Sequence, residues 1–184
     1  MYYLGFDIGA STIKAVLVKN KKILRHDIAD TPRNLRGLLD AISKMTNKFR
    51  QEAGANKLGG IGVAVAGVMD KPRVKMLASP NMRFLNGQPL RRLLAQKLKY
   101  PKVALEHDVH CFLLAEKNIG YAKNLKNVFY LTVGSGVGGA WMVDGRIGFG
   151  AHGAAGEAGH MIMAFDKTKA LDLEDMASNK LIKN

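Results

Sequence analysis

The chain has 184 residues, 47% of them hydrophobic, and 28 Lys and Arg against 15 Asp and Glu give a formal charge of +13. That length fits one domain or two small ones, with apolar content enough for a real core. No apolar run approaches the ~20 residues of a membrane span, the N-terminus lacks a secretory pattern, and the single Cys111 excludes an internal disulfide framework and fits a reducing cytoplasm.

Residues 2–8 ("YYLGFDI") read as a buried strand ending at Gly9, residues 13–18 as a second, and "ILRHDI" (23–28) as a third. Thr31-Pro32 is a helix start, with the hydroxyl as N-cap and proline at the first helical position. Leu35, Leu38, Leu39, Ile42, Met45 and Phe49 then follow helical spacing. "GGIGVAVAG" (59–67) is a small-residue strand, and "RVKMLASP" is extended. A helix carrying Leu90, Leu93, Leu94 and Leu98 must stop before Pro101. "KVALEH" is a strand, and a helix runs from Asp108 to Gly120. "NVFYLTV" leads into a glycine-rich turn and then "AWMVDGRIGF", where Asp144-Gly145 signals a hairpin. A terminal helix is expected over roughly 172–182. Strands alternating with helices indicate an α/β protein.

Residues 71–105 carry nine Lys or Arg and no acid. Such a stretch reads first as a solvated face. A nucleic-acid partner is not expected, because neither aromatic interleaving nor a recognised motif accompanies the charge.

One strand–turn–strand pattern occurs twice. "DIGASTIKAVLVKNKKI" is echoed 125 residues later by "TVGSGVGGAWMVDGRI", with Gly9 matching Gly134, Ala15 matching Ala140 and Val18 matching Val143. Backbone amides of such turns form anion-binding nests, so each turn is a candidate for phosphate oxygens. Gly134, Gly136 and Gly139 also satisfy the dinucleotide fingerprint, but that motif requires a helix next. Ala140 to Val143 read as strand, which excludes it.

Five segments in order resemble the ROK (repressor, open reading frame, kinase) sugar kinases of the actin-like, ribonuclease-H-like ATPase superfamily. They are "DIGASTIKAVL" (7–17), "GIGVAVAGVMD" (60–70), "SPNMRFLNGQPL" (79–90), "VALEHDVHCFLLAE" (103–116) and "TVGSGVGGAWMVDGRIGFGAHGAAGEAGHM" (132–161). The resemblance implies an actin-like α/β fold with two lobes, 1–107 and 108–184, the second incomplete beside the family's longer chains. A half-built lobe would expose apolar surface, which a homo-oligomer is one way to cover. The implied reaction is ATP-dependent phosphorylation, with Mg²⁺, of a hydroxyl on a hexose or N-acylhexosamine.

The resemblance also implies roles. Asp108 in "EHDVH" aligns with the catalytic aspartate, whose carboxylate orients a sugar hydroxyl and accepts its proton; read alone, it caps the helix that starts there. Asp7 aligns with a carboxylate directed toward metal-bound phosphates. Gly9, Ser11 and Thr12 on one turn, with Gly134, Ser135 and Gly136 on the other, would supply phosphate donors. Lys14 either joins them or faces solvent from its alternating strand. Glu157 and His160 match the sugar-contacting pair, and Asn81 and Glu174 two further sugar contacts. His107 stands where the family usually has an asparagine that grips the sugar, and Ala66 replaces a common proline. The family often places a structural zinc on the histidine matching His160 and three cysteines. Residues 161–173 contain no cysteine, and His152, Glu157, His160 and Asp166 follow no zinc spacing, so zinc is not expected. Two non-catalytic readings stand beside the kinase: a sugar-binding remnant or sensor, and a transcriptional regulator, although the regulators carry a helix-turn-helix ahead of the kinase-like part.

Overall fold

A computed structural model describes residues 1–53, 58–134, 136–151 and 153–178. The chain divides into two compact units, Met1–Asp108 and Val109–Asn184.

The first unit is built on β1 (Tyr2–Ile8), β2 (Thr12–Lys19), β3 (Lys22–Asp30), β4 (Leu58–Val65) and β7 (Val103–His107), in the sheet order β3-β2-β1-β4-β7. β1, β2 and β3 run antiparallel to one another, whereas β1, β4 and β7 run parallel. The two-residue loop Asn20-Lys21 joins β2 to β3 with positive φ at both residues (50° and 63°), the primed-turn geometry that matches strand twist. A short hairpin, β5 (Val68–Met69) with β6 (Met76–Ala78), follows β4. Helix α1 (Leu35–Ala53) buries Leu38, Ile42, Met45 and Phe49 at the predicted spacing, and α2 (Leu90–Lys97) buries Leu90 and Leu94. Both join a continuous core with Leu4, Phe6, Ile8, Ile13, Val63 and Leu105 from the sheet.

One expectation changes here. Helix α1 begins at Leu35, not at Thr31-Pro32: Asn34 Oδ1 accepts the Gly37 N–H at 2.8 Å and so caps it. The Thr31 hydroxyl is committed elsewhere, as described below.

In the second unit, α3 (Asp108–Ile119) starts on the last residue of the first unit and packs Val109 and Leu113 with Ala140 and Met142. The partner sheet is β10-β9-β8, from β8 (Val128–Val133), β9 (Val137–Val143) and β10 (Arg146–Ile147). Asp144 and Gly145 join β9 to β10 with φ of 51° and 77°, as the Asp-Gly pair predicts. Phe129, Leu131, Val133, Trp141 and Val143 of this sheet are exposed. A second hairpin, β11 (Ile162–Phe165) with β12 (Ala170–Asp172), lies where no strand is expected. The terminal helix is the short α4 (Leu173–Ala177); the rest of its expected span from residue 179 onward lies outside the described residues. Among the described residues no helix is long and apolar enough to cross a membrane.

Candidate functional site

The parallel strands of the first unit end in step. Asp7 lies level with Ala64 and Glu106, and Ile8 with Val65 and His107. The residues that follow, Gly9 and Asp108, therefore leave the same carboxyl edge of the sheet, where open α/β sheets bind ligands. Asp108 is the first residue of α3 and part-buried, and the His107 ring nitrogen Nδ1 lies 3.3 Å from its Oδ1. Behind them, Glu106 accepts from Arg73 Nε at 2.9 Å (Oε1) and 2.8 Å (Oε2), and also takes the His107 N–H at 3.0 Å. Arg73 and Glu106 thus brace the backbone entering the aspartate. The sequence carries no signal for this pairing, because Arg73 sits in the basic stretch 71–105 and its partner is 33 residues away.

The same edge sets the electrostatics. Burial raises the Asp7 carboxyl above its usual value; Lys14 pulls it back, and the neighbouring Asp108 carboxylate raises it further. Lys14 is exposed and pairs with Asp7 across β1 and β2. It offsets carboxylate charge, which lies between the two roles open from sequence. The half-buried Asp7 suits a Mg²⁺ ion, which proteins typically hold through one or two carboxylates plus substrate phosphates.

The glycine turn between β1 and β2 is closed from inside. The Gly9 N–H donates to the Thr12 carbonyl at 3.0 Å, so this amide shapes the turn and does not face outward. Thr31, at the end of β3, holds the turn from outside. Its hydroxyl donates to the Gly9 carbonyl at 2.7 Å, and its N–H to the Ser11 carbonyl at 2.9 Å. Ser11 is exposed and Thr12 half-buried. A cavity of about 510 Å³ borders this turn at Ala10 and Thr31 and includes Asn81 in its lining, but not His107 or Asp108. Asn81 is therefore placed beside the first glycine turn.

The second unit repeats the device. Gly134 donates to the Gly136 carbonyl at 2.8 Å, closing the turn between β8 and β9. Here the outside brace is Glu174 of α4, whose Oε2 accepts the Val137 N–H at 2.9 Å. A Cβ on Gly136 would lie 2.5 Å from that oxygen, so a side chain there would force the carboxylate to move aside. The structure thus puts Glu174 on the backbone of the glycine turn. Ser135 and His152 lie outside the described residues.

Glu157 is half-buried and opens a single 3-10 turn, Ala158–His160. Two glycines of this loop serve packing: a Cβ on Gly159 would overlap the Val137 carbonyl oxygen, and one on Gly156, at a φ of 93°, would crowd the Gly139 carbonyl oxygen at 3.1 Å. The glycines seat the loop on β9. His160 Nδ1 lies 3.2 Å from Asp172 Oδ2, and the Leu173 N–H donates to the Met161 carbonyl at 2.9 Å. These contacts tie the loop to the start of α4. Asp172 caps that helix by accepting the Asp175 N–H at 2.7 Å; this bond first, and His160 second, hold its carboxyl below the usual range. Among the described residues no group of three His, Cys, Asp or Glu gathers to hold a metal.

A sheet ordered β3-β2-β1-β4-β7, antiparallel then parallel and with a glycine turn at its carboxyl edge, is the sheet of an actin-like ATPase fold. The profile of the ROK family matches residues 3–175, and the chain belongs to that family. It is 32% identical over 168 residues to an N-acetyl-D-glucosamine kinase of Vibrio parahaemolyticus, covering 90% of this chain and 54% of that protein. It is 31% identical over 169 residues to a xylose repressor of Caldicellulosiruptor bescii, covering 88% and 41%. Among solved structures, a ROK family glucokinase from Streptomyces griseus in complex with glucose and AMPPNP superposes with a TM-score of 0.85 and 26% identity, covering 98% of this chain and 58% of that one. The chain spans about half the length of the curated relatives it matches.

Proposed function

We propose that the chain is part of an ATP-dependent sugar kinase that phosphorylates a hydroxyl of a hexose or N-acylhexosamine. The observation that carries this reading is the placement of Asp108 beside Asp7 where β1, β4 and β7 end together. Asp108 orients the sugar hydroxyl and takes its proton at a carboxylate oxygen as that hydroxyl attacks the γ-phosphorus and ADP departs. Glu106 and Arg73 hold the backbone that presents it. Ser11 and Thr12 of the first glycine turn, and Ser135 of the second, are the proposed phosphate donors, with Gly9, Gly134 and Gly136 setting the turns. Asp7 would hold Mg²⁺, which neutralises phosphate charge when bound. Asn81, His107, Glu157 and His160 are the proposed sugar contacts. The N-acetyl-D-glucosamine kinase and glucokinase relatives support the substrate class. The lone Cys111 suits the reducing cytoplasm proposed for such an enzyme.

A coupled ATP-turnover assay against hexoses and N-acetylhexosamines tests the reading. Turnover that is lost in Asp108→Asn supports it. The match to a xylose repressor favours a second reading, a sugar-binding regulator without turnover. Sugar binding with no ATP hydrolysis in the wild-type chain would select that one.

A further inference from the structure

The cavity beside the first glycine turn holds more than Asn81. Its remaining lining is Pro32, Arg33, Met82, Arg83 and Phe84, together with Ala10 and Thr31 of the turn region. The eight residues bring two guanidinium groups and no carboxylate. Among the described residues neither Arg33 nor Arg83 has an ion-pair partner, and Asn81 has no hydrogen-bond partner. Four basic side chains of the first unit do have ion-pair partners: Arg25 with Glu52, Lys48 with Asp27, Arg73 with Glu106, and Lys97 with Asp40; what sets Arg33 and Arg83 apart is that both line one cavity. Two guanidiniums with no carboxylate in the same lining favour the entry of an anion. Guanidinium is also the side chain whose planar fork fits a carboxylate or phosphate in bidentate fashion. A cavity of about 510 Å³ is the size of an ordinary small-molecule site. Pro32, Met82 and Phe84 supply an apolar wall for a carbon skeleton, and the Asn81 carboxamide can both donate to and accept from hydroxyls.

We propose that this cavity takes the anionic substituent of a charged sugar, a carboxylate or phosphate, with Arg33 and Arg83 as the residues that select for it. The inference rests on the sugar-kinase reading and narrows its substrate class from neutral hexoses to acidic ones. A bare anion could satisfy the same guanidiniums, so the test must separate the two sources.

Titration calorimetry of the full chain at fixed ionic strength, with glucose, glucuronate, glucose 6-phosphate and inorganic phosphate, makes that separation. The expected result is that one of the two charged sugars binds at least about tenfold tighter than glucose. In the Arg33→Gln/Arg83→Gln double variant the preference disappears while glucose binding and melting temperature stay unchanged. Both arginines are exposed, so the variant keeps its fold. Equal affinity for glucose and the charged sugars overturns the proposal, as does a preference that survives in the double variant. Inorganic phosphate binding as tightly as the charged sugars overturns it too, by showing a bare anion site. If no sugar binds at all, the sugar-kinase reading falls with it; glucose binding without any preference removes only this inference.

Discussion

The Thr31 hydroxyl donates a 2.7 Å hydrogen bond to the carbonyl oxygen of Gly9, joining the end of the third strand to the glycine turn between the first two. The Thr31 N–H reaches the Ser11 carbonyl as well, so one residue grips the turn on both sides. Thr31→Val keeps the backbone bond and the side-chain shape but removes the hydroxyl. If the turn binds phosphate, its KM for ATP rises about tenfold, the order expected when one such hydrogen bond is lost. Thr31→Ser keeps the hydroxyl and restores the value. A Thr31→Val enzyme with unchanged KM for ATP would show that the turn keeps its form without this bond.

Asp7 gives a pH-dependent prediction. Its folded-state pKa is raised, chiefly by burial and secondarily by Asp108, with Lys14 opposing. A carboxyl raised in this way binds its proton more tightly when folded. It therefore costs stability above its folded pKa, and the cost vanishes below its unfolded pKa. Asp7→Asn removes the charge at every pH. The variant should melt higher than wild type at about pH 7, with the gap closing as the pH is lowered toward about 4. Thermal melts across that range measure it, and a variant less stable than wild type at neutral pH would contradict the burial account. Its phosphoryl transfer should fall at the same time, since the same carboxylate is the proposed metal ligand.

Thr46 lies fully buried on the core face of α1, and among the described residues its Oγ1 has no hydrogen-bond partner. A buried hydroxyl left unpaired is destabilising, whereas a valine of nearly the same shape removes the polar atom without leaving a hole. Thr46→Val should stabilise the chain by about 1 kcal/mol, read as a higher urea midpoint at constant slope. A lower midpoint would mean that the hydroxyl is satisfied in solution.

The parts legible in the sequence were those written locally. The helical spacing of Leu38, Ile42, Met45 and Phe49 needs only a period, and Asp144-Gly145 needs only two residues that tolerate positive φ. Long-range partners were not legible. Thr31-Pro32 has the chemistry of a helix start, but the hydroxyl is drawn to Gly9, 22 residues earlier, and Asn34 takes the cap. The hairpin of β11 and β12 was missed because Ile162, Met163 and Phe165 are all exposed, so the run shows no two-residue alternation. At the candidate site, residue types and order pointed to Asp108, but the brace from Arg73 through Glu106 depends on a pairing that only folding reveals.

The second glycine turn allows the roles of Glu174 to be separated. Its carboxylate accepts the Val137 N–H, and in this position it would crowd any side chain at residue 136. Gly136→Ala would push a methyl group into that oxygen, whereas a Cβ on Gly134 meets nothing within 4 Å. Gly136→Ala and Glu174→Ala should therefore lower stability together, each by about 1–3 kcal/mol for a charge-assisted bond lost at a half-buried position. Gly134→Ala should leave it unchanged. Glu174→Gln keeps an oxygen that can accept from Val137, so it should retain most of the stability and the KM for ATP. If Glu174→Gln instead raises the KM for sugar while that for ATP and the melting temperature hold, the carboxylate's main work is on the sugar. If Glu174→Ala and Gly136→Ala both move the ATP term, the brace on the turn is what Glu174 supplies.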